Sequence, residues 1–224
     1  MIRFDELRVA EEKPFSAELG PGASCKIVAS SEYQKNLLLA TLAGFREPEG
    51  GSYYIFGRSV YPLDEKEHSG LFRRVGFVWN QGGLLSNIRV WENILLPLEY
   101  HSNKRPEEIE GRVKEMLALL GIEGPDADSL LQASPYTIPA HRKMFIGLIR
   151  EILMDPEIVI YDSIFDGLGH RAVRGLVKIL NEFERGSEKG PRKRTAISLG
   201  TDTRTPKGMD SDIVIDLRTV HGEH

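Results

Sequence analysis

Cysteine is all but missing from this chain: of 224 residues, only Cys25 carries a thiol. One thiol permits no internal disulfide and no cysteine-only metal site, so a reducing compartment is expected, with the cytoplasm as the default. Long apolar runs are missing as well. The opening residues MIRFDELRVAEEKPF place charges where a signal peptide needs an apolar core, and no uninterrupted apolar stretch approaches a bilayer span. There is also no large excess of either charge. A net charge of −4, from 29 Lys and Arg against 33 Asp and Glu, gives no argument for a nucleic-acid partner. The one local concentration of base, RGSEKGPRKR over 185–194, carries Arg185, Lys189, Arg192, Lys193 and Arg194. Its glycines and proline read as a solvated loop in preference to a patch for anionic lipid or nucleic acid. Internal repeats and low-complexity segments are absent.

What is there is enough chain for one α/β domain, or for a core with a smaller inserted subdomain. MIRFDELRV alternates loosely through Ile2, Phe4, Leu7 and Val9, which suggests an edge strand, and SCKIVAS after the turn GPG reads as a short buried strand. KNLLLATLAG is helical, REPEGGSYYIFGRSVY reads as a turn and hairpin, and RRVGFVWN as another buried strand. From Ile88 to Met154 the character turns helical. In RPEEIEGRVKEMLALLGI the apolar residues Ile109, Val113, Met116, Leu117 and Leu120 fall at helical spacing between Pro106 and Gly121. HRKMFIGLIREILMDP puts Phe145, Leu148, Ile149 and Ile152 on one face and stops at Asp155-Pro156. Strands return as EIVIYD, RTAISLG and DIVIDL, with the helix RAVRGLVKILNEFER between the first two. This order predicts a parallel sheet with crossover helices.

Residues 28–44, VASSEYQKNLLLATLAG, have the outline of a phosphate-binding loop entering its helix, without the glycines such a loop uses. In GxxxxGK[ST] the glycines let backbone N–H groups turn inward around phosphate, while the lysine and the hydroxyl meet phosphate and Mg²⁺. Laid over 29–36, the glycines become Ala29 and Gln34, the hydroxyl becomes Asn36, and Lys35 alone stays. Lys35 reads either as a weak anion site or as an ordinary lysine at a helix start. Asp162, at a strand end, reads on its own as an acceptor of backbone hydrogen bonds. His141 and His170 have no second ligand at helical spacing and read as surface side chains. Cys25 reads as a small buried hydrophobe.

Three segments carry a resemblance across almost the whole length: GGSYYIFGRSV, VGFVWNQGGLLSNIRVWENILLPL and MDPEIVIYDSIFDGL. With these the chain resembles the ATPase subunit of ABC transporters, and within that family the Mla-type (Mce-associated) phospholipid transporters. The resemblance implies an α/β P-loop NTPase (RecA-like) core of the ABC ATPase type, with an N-terminal antiparallel β portion and an inserted helical subdomain. Residues 1–84 and 156–224 would form the core and 85–155 the helical subdomain. The C-terminal helix of many relatives is expected to be missing after DIVIDL.

The family's loop GPSGSGKST falls on Ala29, Ser30, Ser31, Glu32, Tyr33, Gln34, Lys35, Asn36 and Leu37, and Glu32 would repel a triphosphate unless turned to solvent. The Q-loop glutamine falls on Asn80, with Gln81 beside it. The signature LSGGQ falls on Ile138, Pro139, Ala140, His141 and Arg142. The Walker B aspartate is kept as Asp162, but the general base after it is Ser163, which cannot serve as a base at neutral pH without a partner. The D-loop aspartate is Gly169, the switch histidine is Thr201, and Ala10 and Glu11 stand where an aromatic would stack on adenine.

Loop, base, clamp and switch are thus altered together. The resemblance implies a degenerate, non-hydrolysing subunit with no catalytic residue, Asn80, Ser163 and Thr201 being the degenerate equivalents. Lys35, Asn36 and Asp162 are the weak candidates for ATP and Mg²⁺. A permease partner is implied, together with a dimer formed with itself or with a competent ATPase, and a place at the inner face of the membrane through that permease. Leu84, Leu85, Ile88, Val90, Trp91, Ile94, Leu95 and Leu96 either line a permease groove or pack the subdomain, with Leu84, Leu85 and Trp91 as the docking candidates. Two other readings stay open: a freestanding anion- or protein-binding module on the same fold, and a working transport ATPase with substituted residues.

Overall fold

The computed structural model describes residues 1–10, 12–99, 106–185 and 193–218. Their contacts divide into two compact units. One comprises Met1–Phe77, Glu157–Asp162 and the described residues from Glu184 onward; the other comprises Val78–Pro156 and Ser163–Phe183.

The first unit holds two sheets. Strands β1 (Ile2–Arg8), β2 (Phe15–Leu19), β4 (Gly50–Ile55) and β5 (Arg58–Ser59) form a sheet in the order β2-β1-β4-β5, with antiparallel pairing throughout. The first strand is therefore not at an edge, as its loose alternation suggested, but lies between two neighbours. The physical reason is a bulge. The register slips against β2 between Phe4 and Leu7 and against β4 between Asp5 and Arg8, and Glu6 takes φ 49°. An extra residue breaks strict alternation while Ile2, Phe4, Leu7 and Val9 all remain buried. Gly51 accommodates the bulge: at φ 75°, a Cβ there would lie 2.1 Å from the Glu6 carbonyl oxygen. Phe4 anchors this layer by stacking on Tyr53 and meeting Phe15 edge-on, each at 5.2 Å between centroids.

The second sheet runs β6-β7-β8-β3-β9, formed by β3 (Ser24–Val28), β6 (Val75–Val78), β7 (Ile158–Asp162), β8 (Thr195–Gly200) and β9 (Ile213–Asp216). The pairs β7–β8, β8–β3 and β3–β9 are parallel, as the strand–helix–strand order predicts. Every residue of β7 is buried, which explains its unbroken apolar sequence. Helix α1 (Glu32–Leu42) follows β3, and α2 (Glu65–Phe72) starts from a capping box between Asp64 and Glu67. Cys25 is buried, and burial pushes its thiol up to about 12.

The second unit is helical: α3 (Val90–Glu99), α4 (Pro106–Leu119), α5 (Pro125–Gln132), α6 (Ala140–Met154) and most of α7 (His170–Arg185). The predicted face of α6, Phe145, Leu148, Ile149 and Ile152, is buried, as are Ile109, Val113, Met116 and Leu117 of α4. Helix α6 ends where Asp155 turns left-handed at φ 56° ahead of Pro156. Among the described residues, no helix is long and apolar enough to cross a membrane.

Candidate functional site

The link from β3 to α1 is only Ala29–Ser31. Ser31 is an N-cap in extended conformation, and its Oγ accepts the Gln34 N–H at 3.2 Å. The Lys35 N–H already donates to the Ser31 carbonyl at 2.9 Å. Residues 32–34, which in a GxxxxGK loop would curl around phosphate, thus form the first turn of a helix. Glutamate, tyrosine and glutamine tolerate helical φ and ψ, and none supplies the backbone freedom of glycine.

The rest of the link is bound from within. The Ala29 N–H donates to Gly200 O at 2.9 Å. The buried Glu12 carboxylate accepts both the N–H and the Oγ of Ser30, each at 2.9 Å. Gln34, at the second glycine position, is a buried side chain, whereas Asn36 is exposed.

Lys35 is 1% exposed. Its Nζ lies 2.8 Å from Asp162 Oδ1 and 2.8 Å from Glu32 Oε2. Burial lowers the stability of the ammonium, but hydrogen bonds and charge from Asp162 and Glu32 outweigh it, and the Lys35 pKa stands above its ordinary value. Asp162 Oδ1 thus faces the Lys35 ammonium. Glu32 turns neither wholly to solvent nor away from the lysine, since its Oε1 also accepts from Thr201 Oγ1 at 3.5 Å. For Mg²⁺ the expected donors do not fit. Asn36 stands on the exposed side of α1, and the charge of Asp162 is already matched by the ammonium. Among the described residues, no group of three or more His, Cys, Asp or Glu side chains is arranged to hold a metal ion.

Ser163 follows Asp162 with φ 47°, a left-handed backbone that a serine adopts at some cost. Thr201 follows the last residue of β8. In the helical unit, Asn80 and Gln81 lie in the turn closed by the Gly82 N–H to Trp79 O, 2.8 Å. That turn presses on α6: a Cβ on Gly147 would come within 2.6 Å of the Gly82 carbonyl oxygen. At the signature position α6 starts from Pro139, which offers no side-chain cap. Arg142 is committed to a two-pronged pair with Asp126 at 2.9 and 2.8 Å, and His141 is exposed. His170 is exposed too.

Among the docking candidates, Leu85 is 51% exposed, and Leu84 and Trp91 are half-buried. Trp91 lines a small cleft with Glu110, Asp128, Leu131 and Gln132. Val90 and Ile94 are fully buried, so they pack the helical unit and line no groove. The buried amide of Asn93 holds the preceding segment: its Oδ1 accepts the Leu85 N–H at 2.7 Å, and its Nδ2 donates to Leu85 O and Arg89 O, each at 3.0 Å. Of the basic cluster at 185–194, residues 186–192 lie outside the described residues, as does Glu11. Sequence reasoning missed Glu12 altogether. A glutamate in a loop carries no periodic signal for a contact 18 positions away.

No family model matches the chain. In sequence it is similar to the methionine import ATP-binding protein MetN of Bordetella avium, 30% identical over 159 residues that cover 71% of this chain and 42% of the relative. It is also similar to MetN of Xanthomonas oryzae pv. oryzae, 27% identical over 183 residues covering 81% of this chain and 52% of the relative. The chain thus spans about half the length of these curated relatives. Among solved structures it superposes on the dimeric ATP-binding cassette MJ0796 bound to ADP and Pi, with a TM-score of 0.74 at 20% identity, covering 97% of this chain and 94% of that one. It also superposes on cbiO1 of Clostridium perfringens, part of the ABC transporter complex cbiONQ, with a TM-score of 0.64 at 18% identity, covering 90% and 78%. The chain has the α/β fold of an ABC ATPase cassette, and its sequence is similar to methionine import ATP-binding proteins.

Proposed function

We propose that this chain is an ABC transporter ATP-binding-like subunit that does not hydrolyse ATP and serves a transport complex as a structural or regulatory component. The observation that carries this reading is the backbone ahead of Lys35. It is wound into the first turn of α1, and the Gln34 and Lys35 N–H groups are both spent on Ser31. The Ser163 hydroxyl in place of a carboxylate base supports the same reading, because the missing group would have to take a proton from water. With loop and base both altered, the remaining lysine–aspartate pair stabilises the fold in place of a triphosphate.

In this reading the helical insertion, residues 85–155, together with Leu84 just ahead of it, offers Leu84, Leu85 and Trp91 to a permease, and the chain sits at the membrane surface through that contact. The hairpin, Q-loop and Walker B segments that resemble the Mla-type transporters favour a lipid cargo, whereas the MetN relatives are named methionine import ATP-binding proteins. The partner in a dimer is a second copy or a competent ATPase subunit.

The test is calorimetric titration of the purified chain with MgATP, together with phosphate-release assays with and without its co-purified membrane subunit. The expected result is no turnover in either setting. Turnover that disappears in Lys35→Ala would overturn the proposal.

A further inference from the structure

Three carboxylates meet the loop and the start of α1, and they differ in how they are held. Asp162 is fixed in a buried strand, and Glu12 is buried beneath Ser30. Glu32 is different: its side chain is 61% exposed, yet one oxygen reaches Lys35 Nζ at 2.8 Å and the other accepts from Thr201 Oγ1 at 3.5 Å. It enters the site from solvent and can leave without unpacking the core.

The position it reaches favours an anion on independent grounds. Lys35 presents an ammonium in a 1%-exposed site, and it does so from the first turn of α1, where the helix dipole is positive. An oxygen placed there finds a charge-assisted partner in the ammonium and a hydroxyl donor at the end of β8. Those are the contacts a phosphate oxygen would seek, and Glu32 makes both. Building on the proposed loss of hydrolysis, we infer that Glu32 is a tethered anion that fills the Lys35 site and sets the selectivity of this loop against polyphosphates.

Tethering gives the carboxylate its advantage. A group attached to the same helix competes at an effective concentration of order millimolar or above, whereas a free polyphosphate must displace it and then face the charges of Asp162 and Glu12. Removing Glu32 removes both the competitor and one repelling charge. Asp162 and Lys35 stay paired, so the fold is left intact.

The experiment titrates the full chain with inorganic tripolyphosphate and, separately, with MgATP, comparing wild type, Glu32→Gln and Glu32→Ala. Unchanged thermal midpoints establish that the variants fold, and the alanine variant covers the case in which the glutamine amide oxygen keeps the Lys35 contact. Tripolyphosphate is expected to bind both variants at least about tenfold more tightly than wild type, equivalent to ~1.4 kcal/mol, with the gain shrinking as salt rises. Equal affinity in all three chains, whether measurable or absent, overturns the role of Glu32. Absence of binding throughout leaves the proposed loss of hydrolysis standing. Turnover of MgATP by the wild type, accompanied by tighter binding in the variants, overturns that proposal and supports this inference.

Discussion

Lys35→Met keeps the length and apolar stem of the side chain and removes its ammonium from between Asp162 and Glu32. The two contacts are unequal. The side chains of Lys35 and Asp162 are 1% and 5% exposed, so water cannot take over the aspartate charge when the lysine is lost. Breaking such a buried pair from one side typically costs about 3–5 kcal/mol. Glu32, mostly exposed, contributes no more than a surface partner does, about 0–1 kcal/mol. The single substitution should therefore destabilise the chain by about 3 kcal/mol, a fall of roughly 6–12 °C in Tm for a protein of this size. Lys35→Met with Asp162→Leu should recover most of that loss, since apolar groups of similar volume replace a buried pair at little net cost. The assay is urea and thermal unfolding of the wild type, both single variants and the double variant, read as a double-mutant cycle. A single-variant cost below about 1 kcal/mol, the range of a solvated pair, would refute the reasoning. The Lys35 pKa is raised on folding, so its contribution is complete below the ordinary value of 10.5 and fades as pH climbs through the folded value. Wild-type stability should accordingly fall more steeply above that pH than that of Lys35→Met.

Two further outcomes follow from other parts of the molecule. Burial pushes the Glu184 carboxyl from 4.5 up to about 6, partly opposed by the hydrogen bond from Tyr161 at 3.0 Å. The folded chain thus binds the proton more tightly than the unfolded one, and this contribution is present below 4.5 and lost as pH rises through about 6. Glu184→Gln should flatten the stability–pH curve across that window, as measured by thermal midpoints. Gly147→Ala forces a methyl to 2.6 Å from the Gly82 carbonyl oxygen and should cost about 1–3 kcal/mol, whereas Gly111→Ala in α4 meets nothing within 4 Å and should gain up to ~1 kcal/mol. Unfolding both variants in urea compares the two.

The readable parts of the chain were those where burial leaves an unbroken pattern. SCKIV, IVIYD and TAISLG are strands buried along most of their length, and α4 and α6 show their apolar faces at helical spacing. FSAEL, EKEHSGLF and PDADSLLQ were not singled out. The first buries only Phe15 and Leu19 at its two ends, the second buries Leu71 alone, and the third hides three apolar residues behind Pro125 and two aspartates. In the site, Lys35 and Asp162 stood out by position, but their pairing depends on β3 and β7 flanking β8, which local pattern does not encode. The helical start at Glu32 follows from residues that were visible as glycine losses. Whether such a loop would stay open or wind up is a question of tertiary context, decided here by Ser31, Glu12 and Asp162.

Asn93 makes one mechanical piece of two segments that look separate in sequence. Its amide grips the backbone of Leu85 and Arg89 while its own backbone belongs to α3. The backbone at Leu85 is therefore tied directly to α3 and is not a soft loop. The exposed Leu85 and the start of α3 thus keep a fixed spacing, with Asn93 as the pin.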